Sequence, residues 1–163
     1  MRFEKVSYKE FRRSVGDIPI QYDEVKVPRR ATRHSSGYDF YSPVDFTLHP
    51  GETIVLPTFI RISLQCDKTL IIAPRSGQGF KYKVQLYNTI GVIDADYYAN
   101  PSNDGHIFVK LYNDSLEGKP MEVKKGDAIC QGLIIQYFTV DDDETTEDRV
   151  GGFGSTSRGE KRE

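Results

Sequence analysis

Four stretches of the chain carry residue types that do chemistry on water and phosphate. In Gly91-Val92-Ile93-Asp94-Ala95-Asp96-Tyr97, two carboxylates follow an apolar run. A carboxylate at a pocket can take a proton from attacking water. The same letters also describe a polar strand end. One of the two acids at most is expected to face a given pocket. In Pro74-Arg75-Ser76-Gly77-Gln78-Gly79, a guanidinium, a hydroxyl and flexible glycines follow a strand-like run. That is an anion cradle, or a Gly-rich surface loop with a salt-bridged arginine. It is not a P-loop, because the Gly-Lys-Ser/Thr ending is missing. Ser35-Ser36-Gly37-Tyr38-Asp39 reads alone as a turn into a strand, with Asp39 as a capping or solvated acid. Gly126-Asp127-Ala128-Ile129-Cys130-Gln131-Gly132 reads as a turn feeding an apolar strand in which Gln131 is out of place. His34, His49 and His106 are scattered, with no nucleophile or metal spacing, and each reads as a surface residue.

These residues need elements to position them. Ser7-Tyr8-Lys9-Glu10 has the form of a capping box, with Val6 and Phe11 at the staple positions. A short helix is therefore expected near residues 7–15, ended by Gly16 and Pro19. After Pro28 the pattern turns to strands. Thr58–Leu64 and Ile107–Tyr112 alternate apolar and polar, while Thr69–Ala73, Lys83–Tyr87 and Ile129–Phe138 are rich in β-formers. Pro50-Gly51, Asn100-Pro101 and Glu117-Gly118 mark turns. Short strands with frequent turns predict an all-β sandwich or barrel over residues 1–140. Residues 141–163 read differently. An acidic run from Asp141 to Asp148 leads into Arg149-Val150-Gly151-Gly152-Phe153-Gly154-Ser155-Thr156-Ser157-Arg158. This stretch has too few apolar groups for a core and is expected to be a flexible arm. Its amides, hydroxyls and arginines are phosphate-binding groups.

The chain has 163 residues, 37% hydrophobic and 28% charged. That suits one globular domain and excludes paired cofactor and substrate domains. A formal net charge of −2 argues against binding nucleic acid through a basic surface. No apolar run is long enough to span a bilayer, and Met1–Val6 has no apolar h-region. A cytoplasmic setting is expected, with Cys66 and Cys130 reduced and the Asn113-Asp114-Ser115 sequon idle.

The order of these pieces is more specific than any one of them. Ser-Gly-Tyr-Asp, Pro-Arg-Ser-Gly, Asn-x-x-Gly-Val-Ile-Asp-x-Asp-Tyr, Gly-Asp-x-Ile-x-Gln and Arg-x-Gly-Gly-Phe-Gly-Ser-Thr resemble the five motifs of the trimeric dUTP diphosphatases (dUTPases), from Gly37 to Thr156. The resemblance implies a distorted jelly-roll, a homotrimer with shared active sites, and hydrolysis of dUTP to dUMP and pyrophosphate with Mg²⁺ on the triphosphate. Asp94 matches the carboxylate that activates water. Asn88 matches a uracil contact beside the Gly91, Val92 and Ile93 backbone. Tyr97 matches the ring beneath the deoxyribose that excludes a 2′-hydroxyl. Arg75, Ser76, Gly77 and Gln131 match phosphate contacts, and Asp39 an acid that meets the metal through water. Phe153 matches an aromatic that covers uracil when the arm closes. Arg149, Gly154, Ser155 and Thr156 match arm groups that fold over the phosphates.

The sequence departs from the family pattern at Gln78, at Ser157 and in a lengthened stretch from Tyr98 to His106. Two alternatives stand beside the resemblance. A dCTP deaminase of the same fold would call for a Glu where Lys110 stands. A regulatory binding protein on the same scaffold would use the lengthened loop or the N-terminal helix.

Overall fold

The computed structural model describes residues 1–147 and Arg149. Its centre is the strand that the sequence marks as the longest apolar run. This strand, β12 (Ala128–Gln136), lies between β3 (Tyr38–Tyr41) and β7 (Lys68–Ala73). The sheet is completed by β2 (Arg29–Arg30) beyond β3 and β9 (Gly91–Ile93) beyond β7, every pair antiparallel. A second sheet pairs β10 (Phe108–Asn113) with β5 (Thr53–Pro57) and β8 (Val84–Leu86). Along β10 buried and half-buried residues alternate, as a strand with one face on a core requires. The ribbon of β4 (Phe46–Leu48) with β11 (Met121–Val123) closes a further side. Phe40, Leu56, Leu70, Ile72, Leu111 and Ile129 are buried in the common core. The all-β, jelly-roll-like expectation holds.

The N-terminus differs from the sequence reading. Residues Arg2–Lys5 form β1, which pairs with β6 (Ile60–Ser63). The charged letters hide it, because Phe3 alone of its residues packs against the core, while Glu4 pairs with Arg61 and Lys5 bonds to the Tyr22 and Asp23 carbonyls. The helix α1 (Tyr8–Ser14) forms as expected, and the Ser7 hydroxyl accepts from the Glu10 amide at 3.3 Å. The other half of the capping box is absent. The Ser7 amide donates to Asp104 instead, at 2.6 Å. Val6 and Phe11 are both buried, and the Phe11 ring lies 4.9 Å from that of Phe59.

A second correction concerns the Gly-rich stretch after β7. It is not a loop but a helix, α2 (Ser76–Tyr82), ended by Lys83 in the left-handed conformation at φ 54°. A Cβ at Gly77 or Gly79 would meet nothing within 4 Å. The helix is tied down by Gln78, whose amide donates to the Ala128 carbonyl at 2.9 Å, and by Tyr82 against the core. Asn113 is buried and donates to the Leu48 and Lys119 carbonyls, so its sequon is a structural amide.

Candidate active site

The structure gathers the described candidate residues into two groups at opposite ends of the β7–β9 pair. The first group lies where β3, β12 and the end of β7 meet. Asp39 and Gln131 are register partners across β3 and β12. Arg75 caps α2 and pairs with Asp39, Nε to Oδ1 at 3.0 Å. The Asp39 carboxylate is 14% exposed and the Arg75 side chain 41%, so the guanidinium is steadied by a carboxylate below it and open to solvent above. The Gln131 amide donates to the Pro74 carbonyl at 3.0 Å. This contact explains Gly37, since a Cβ there would lie 2.2 Å from Gln131 Oε1. Ser76 and Gly77 begin α2 with exposed, uncrowded backbone beside Arg75. A guanidinium, a hydroxyl and helix-start amides thus stand next to one another in the chain, group types that bind anions.

The second group follows β9. The turn from β8 to β9 passes through Asn88, which is exposed, and Thr89, which takes a φ of 69° and donates to the Leu86 carbonyl. Gly91 sits against Ile72, where a Cβ would approach to 3.2 Å. The strand ends at Ile93, and Ala95–Tyr97 form one 3-10 turn. Asp94 is therefore the first residue past the strand, and its carboxylate is 48% exposed.

The expectation that at most one acid of the Asp94/Asp96 pair faces a given pocket assumes that both lie in a strand, but the strand ends at Ile93. Both reach Arg149, whose Nη2 lies 2.8 Å from Asp94 Oδ2 and whose Nε lies 3.2 Å from Asp96 Oδ1. Asp94 is extended and Asp96 lies in the 3-10 turn, so the strict alternation of faces along a strand does not carry through to Asp96. The Arg149 guanidinium also lies over the Tyr97 ring, 5.6 Å from its centroid. Tyr97 is 4% exposed, and burial raises its phenol pKa above the ordinary value. The expected roles of Phe153, Gly154, Ser155 and Thr156 lie outside the described residues.

His106 overturns the surface reading of the histidines. His34 and His49 are exposed, but His106 is fully buried. Its Nε2 accepts from the Phe59 amide at 2.9 Å, and its Nδ1 lies 3.1 Å from Glu10 Oε1. Burial holds its pKa below the ordinary histidine value. Glu10, Asn103 and His106 were missed as a cluster because 96 residues separate Glu10 from His106. A signal existed in the letters: the Ser7–Glu10 box and the lengthened loop are both departures from plain β sequence.

Among the described residues, no group of three or more His, Cys, Asp or Glu is placed to hold a metal ion. Mg²⁺ keeps several waters and commonly binds through substrate phosphates rather than a protein cage. Asp39, lying beside the phosphate-type group, fits a contact made through water.

These features define an all-β chain with an acid just past the end of one strand and an arginine paired to an acid at a separate corner. A dUTPase family model matches residues 23–157. A deoxyuridine 5'-triphosphate nucleotidohydrolase from Lactococcus lactis is 37% identical over 134 residues, covering 81% of this chain and 88% of that protein. One from Dictyoglomus turgidum is 38% identical over 142 residues, covering 82% and 91%. The crystal structure of dUTPase from Streptococcus mutans superposes with a TM-score of 0.68 at 27% identity, covering 86% of this chain and 99% of that one. The chain belongs to the dUTPase family.

Proposed function

We propose that the protein hydrolyses dUTP to dUMP and pyrophosphate, with Asp94 as the base that accepts a proton from the attacking water. The observation that carries this reading is the position of Asp94. It is the first residue past β9, half-exposed, and within ion-pair distance of an arginine. In the reaction, water oxygen bonds to phosphorus, the α–β phosphoanhydride bond breaks, and the proton passes to Asp94. Phosphoryl transfer depends on positioning and charge neutralisation more than on covalent chemistry. Arg75, Ser76, Gly77 and Gln131 would hold phosphate oxygens, and Asn88 with the Gly91, Val92 and Ile93 backbone would read uracil. Tyr97 would close the space beneath the sugar. Mg²⁺ on the triphosphate supplies further neutralisation when bound, and Asp39 would meet its water shell. Arg149 would exchange Asp94 for phosphate as the arm closes, with Phe153, Gly154, Ser155 and Thr156 completing the cover.

The distance between the two groups supports sites shared between chains, as in the homotrimer that we propose. Arg75 follows the end of β7, whereas Asp94 lies beside Thr69 at its start, since Leu70 pairs with Ile93. Six residues of extended chain put them roughly 20 Å apart, too far to grip adjacent phosphates of one molecule. Arg75 of one chain must then serve Asp94 of another. No described helix is long and apolar enough to cross a membrane. The cytoplasm is the setting that we propose for the reaction.

Deamination of dCTP is the lesser reading. Lys110 stands where a Glu is required, with its ammonium 3.8 Å from the Tyr87 ring centroid. The deciding assay is pyrophosphate release from dUTP, dCTP, dTTP and UTP, with and without Mg²⁺. Selective, Mg²⁺-dependent turnover of dUTP is expected, and Asp94→Asn should bind dUTP without hydrolysing it. Equal turnover of all four, or ammonia from dCTP, would overturn the proposal.

A further inference from the structure

A steric wall rejects an extra hydroxyl only if it cannot recede, so what holds Tyr97 matters. The strand does not. β9 ends at Ile93, and Tyr97 rides on a single 3-10 turn outside the ladder. The ring is instead fixed at its far end. Its hydroxyl donates to the His106 carbonyl at 3.0 Å and accepts from Asn103 Nδ2 at 2.6 Å. The other half of the Asn103 amide accepts from the Gly105 amide at 3.2 Å. The Asn103 side chain thus joins the phenol to the turn behind it.

His106, the residue that carries this carbonyl, is anchored through its imidazole. Phe59 N–H points at Nε2, so Nε2 carries the lone pair and Nδ1 carries the proton. That Nδ1–H donates to Glu10 Oε1, and Glu10 Oε2 pairs with Arg13 at 2.7 Å. Asp104 fixes the same loop from the other side, accepting from the Ser7 amide and pairing with Arg61 at 2.5 Å. Gly105 is required at the bend. Its φ is +73°, and a Cβ there would lie 2.6 Å from the Tyr97 carbonyl oxygen.

We infer that Asn103 and the Glu10–His106 pair are positioning residues for Tyr97, and that through them α1 and the 98–106 loop set discrimination against a ribose 2′-hydroxyl. This rests on the reading of Tyr97 as the sugar wall. The Glu10–His106 contact and the Ser7–Asp104 contact each lie within one residue of a group bonded to the Tyr97 hydroxyl, as a clamp for that ring requires.

The test is the ratio of kcat/KM for dUTP to that for UTP, measured beside the ratio for dUTP to dCTP. Asn103→Ala and Glu10→Ala should lower the first ratio on the order of tenfold and leave the second unchanged. Glu10→Gln should keep both ratios, because its amide oxygen still accepts from Nδ1–H. Tyr97→Phe should lower the sugar ratio like Asn103→Ala, and the double variant should be no worse than either single one. Where Glu10→Ala does not fold, Asn103→Ala and Tyr97→Phe decide the matter alone. Both ratios falling together, or neither moving, would overturn the inference. Equal hydrolysis of dUTP and UTP by the unsubstituted protein would overturn the wall reading beneath it.

Discussion

Gly37 and Gly132 show how one missing Cβ serves either chemistry or packing. At Gly37 the space is taken by the end of a flexible side chain, Gln131 Oε1. Gly37→Ala would push Gln131 off the Pro74 carbonyl rather than disturb the core. The expected outcome is a several-fold higher KM for dUTP with a nearly unchanged melting temperature, read by steady-state kinetics and calorimetry. At Gly132 the space is taken by Leu70 Cδ1 and Phe40 Cε2, both at 2.9 Å and both buried. Overpacking a core costs about 1–3 kcal/mol. Gly132→Ala should therefore lower stability to urea by that amount while leaving KM for the folded fraction unaltered. The motif letters made Gly37 legible as part of a site and Asp39, Arg75 and Gln131 as its companions. They did not reveal why glycine stands at 37, because the reason is a side chain 94 positions away that approaches only once β3 and β12 are paired. The convergence of Asp94 and Asp96 on Arg149 was hidden likewise, since it depends on the strand stopping at Ile93.

At the level of elements, the strands were legible where one face is apolar and the other is not, as along β10. β1 was not, since Arg2, Glu4 and Lys5 disguise a strand whose exposed face bonds to Arg61 and Tyr98. α2 was not, because Gly77 and Gly79 argue locally against a helix and long-range ties from Gln78 and Tyr82 override them. The helix α1 was legible from its cap, but its purpose was not, because its partner is the 98–106 loop. Their union has a consequence for pH. The His106 pKa is held below 6.5 chiefly by burial, with Arg13 acting in the same direction and Glu10 and Asp104 opposing it. The unfolded chain therefore takes up the proton first. This group's contribution to stability is complete above about pH 6.5 and falls as pH drops below it, by at most about 1.4 kcal/mol per pH unit. The melting temperature should decline between pH 7 and pH 5, and His106→Gln, whose carbonyl can still accept from Phe59, should flatten that decline. A slope unaltered in the variant would assign the acid sensitivity to other groups.

The molecule as a whole is small and nearly neutral, at 163 residues and a formal net charge of −2. The antiparallel β7–β9 pair holds the Asp94 group and the Arg75 group at opposite ends. The geometry makes a strong demand on the assembly, and mixing two inactive variants examines it directly. Asp94→Asn leaves Arg75 intact, and Arg75→Ala leaves Asp94 intact. If each site lay within one chain, every site in a mixture would carry a defect and activity would stay at the level of the inactive parents. If each site takes Asp94 from one chain and Arg75 from the next, every mixed trimer holds one intact site. Random assembly of equal amounts would then restore about a quarter of the wild-type site count, a consequence of cyclic symmetry alone. The measurement is pyrophosphate release after co-expression, or after the variants are unfolded and refolded together, against the same variants refolded apart. Recovery near that fraction is the expected result. No recovery, in mixtures whose size in solution is that of three chains, would place Arg75 and Asp94 of one chain in the same site and overturn the shared-site reading.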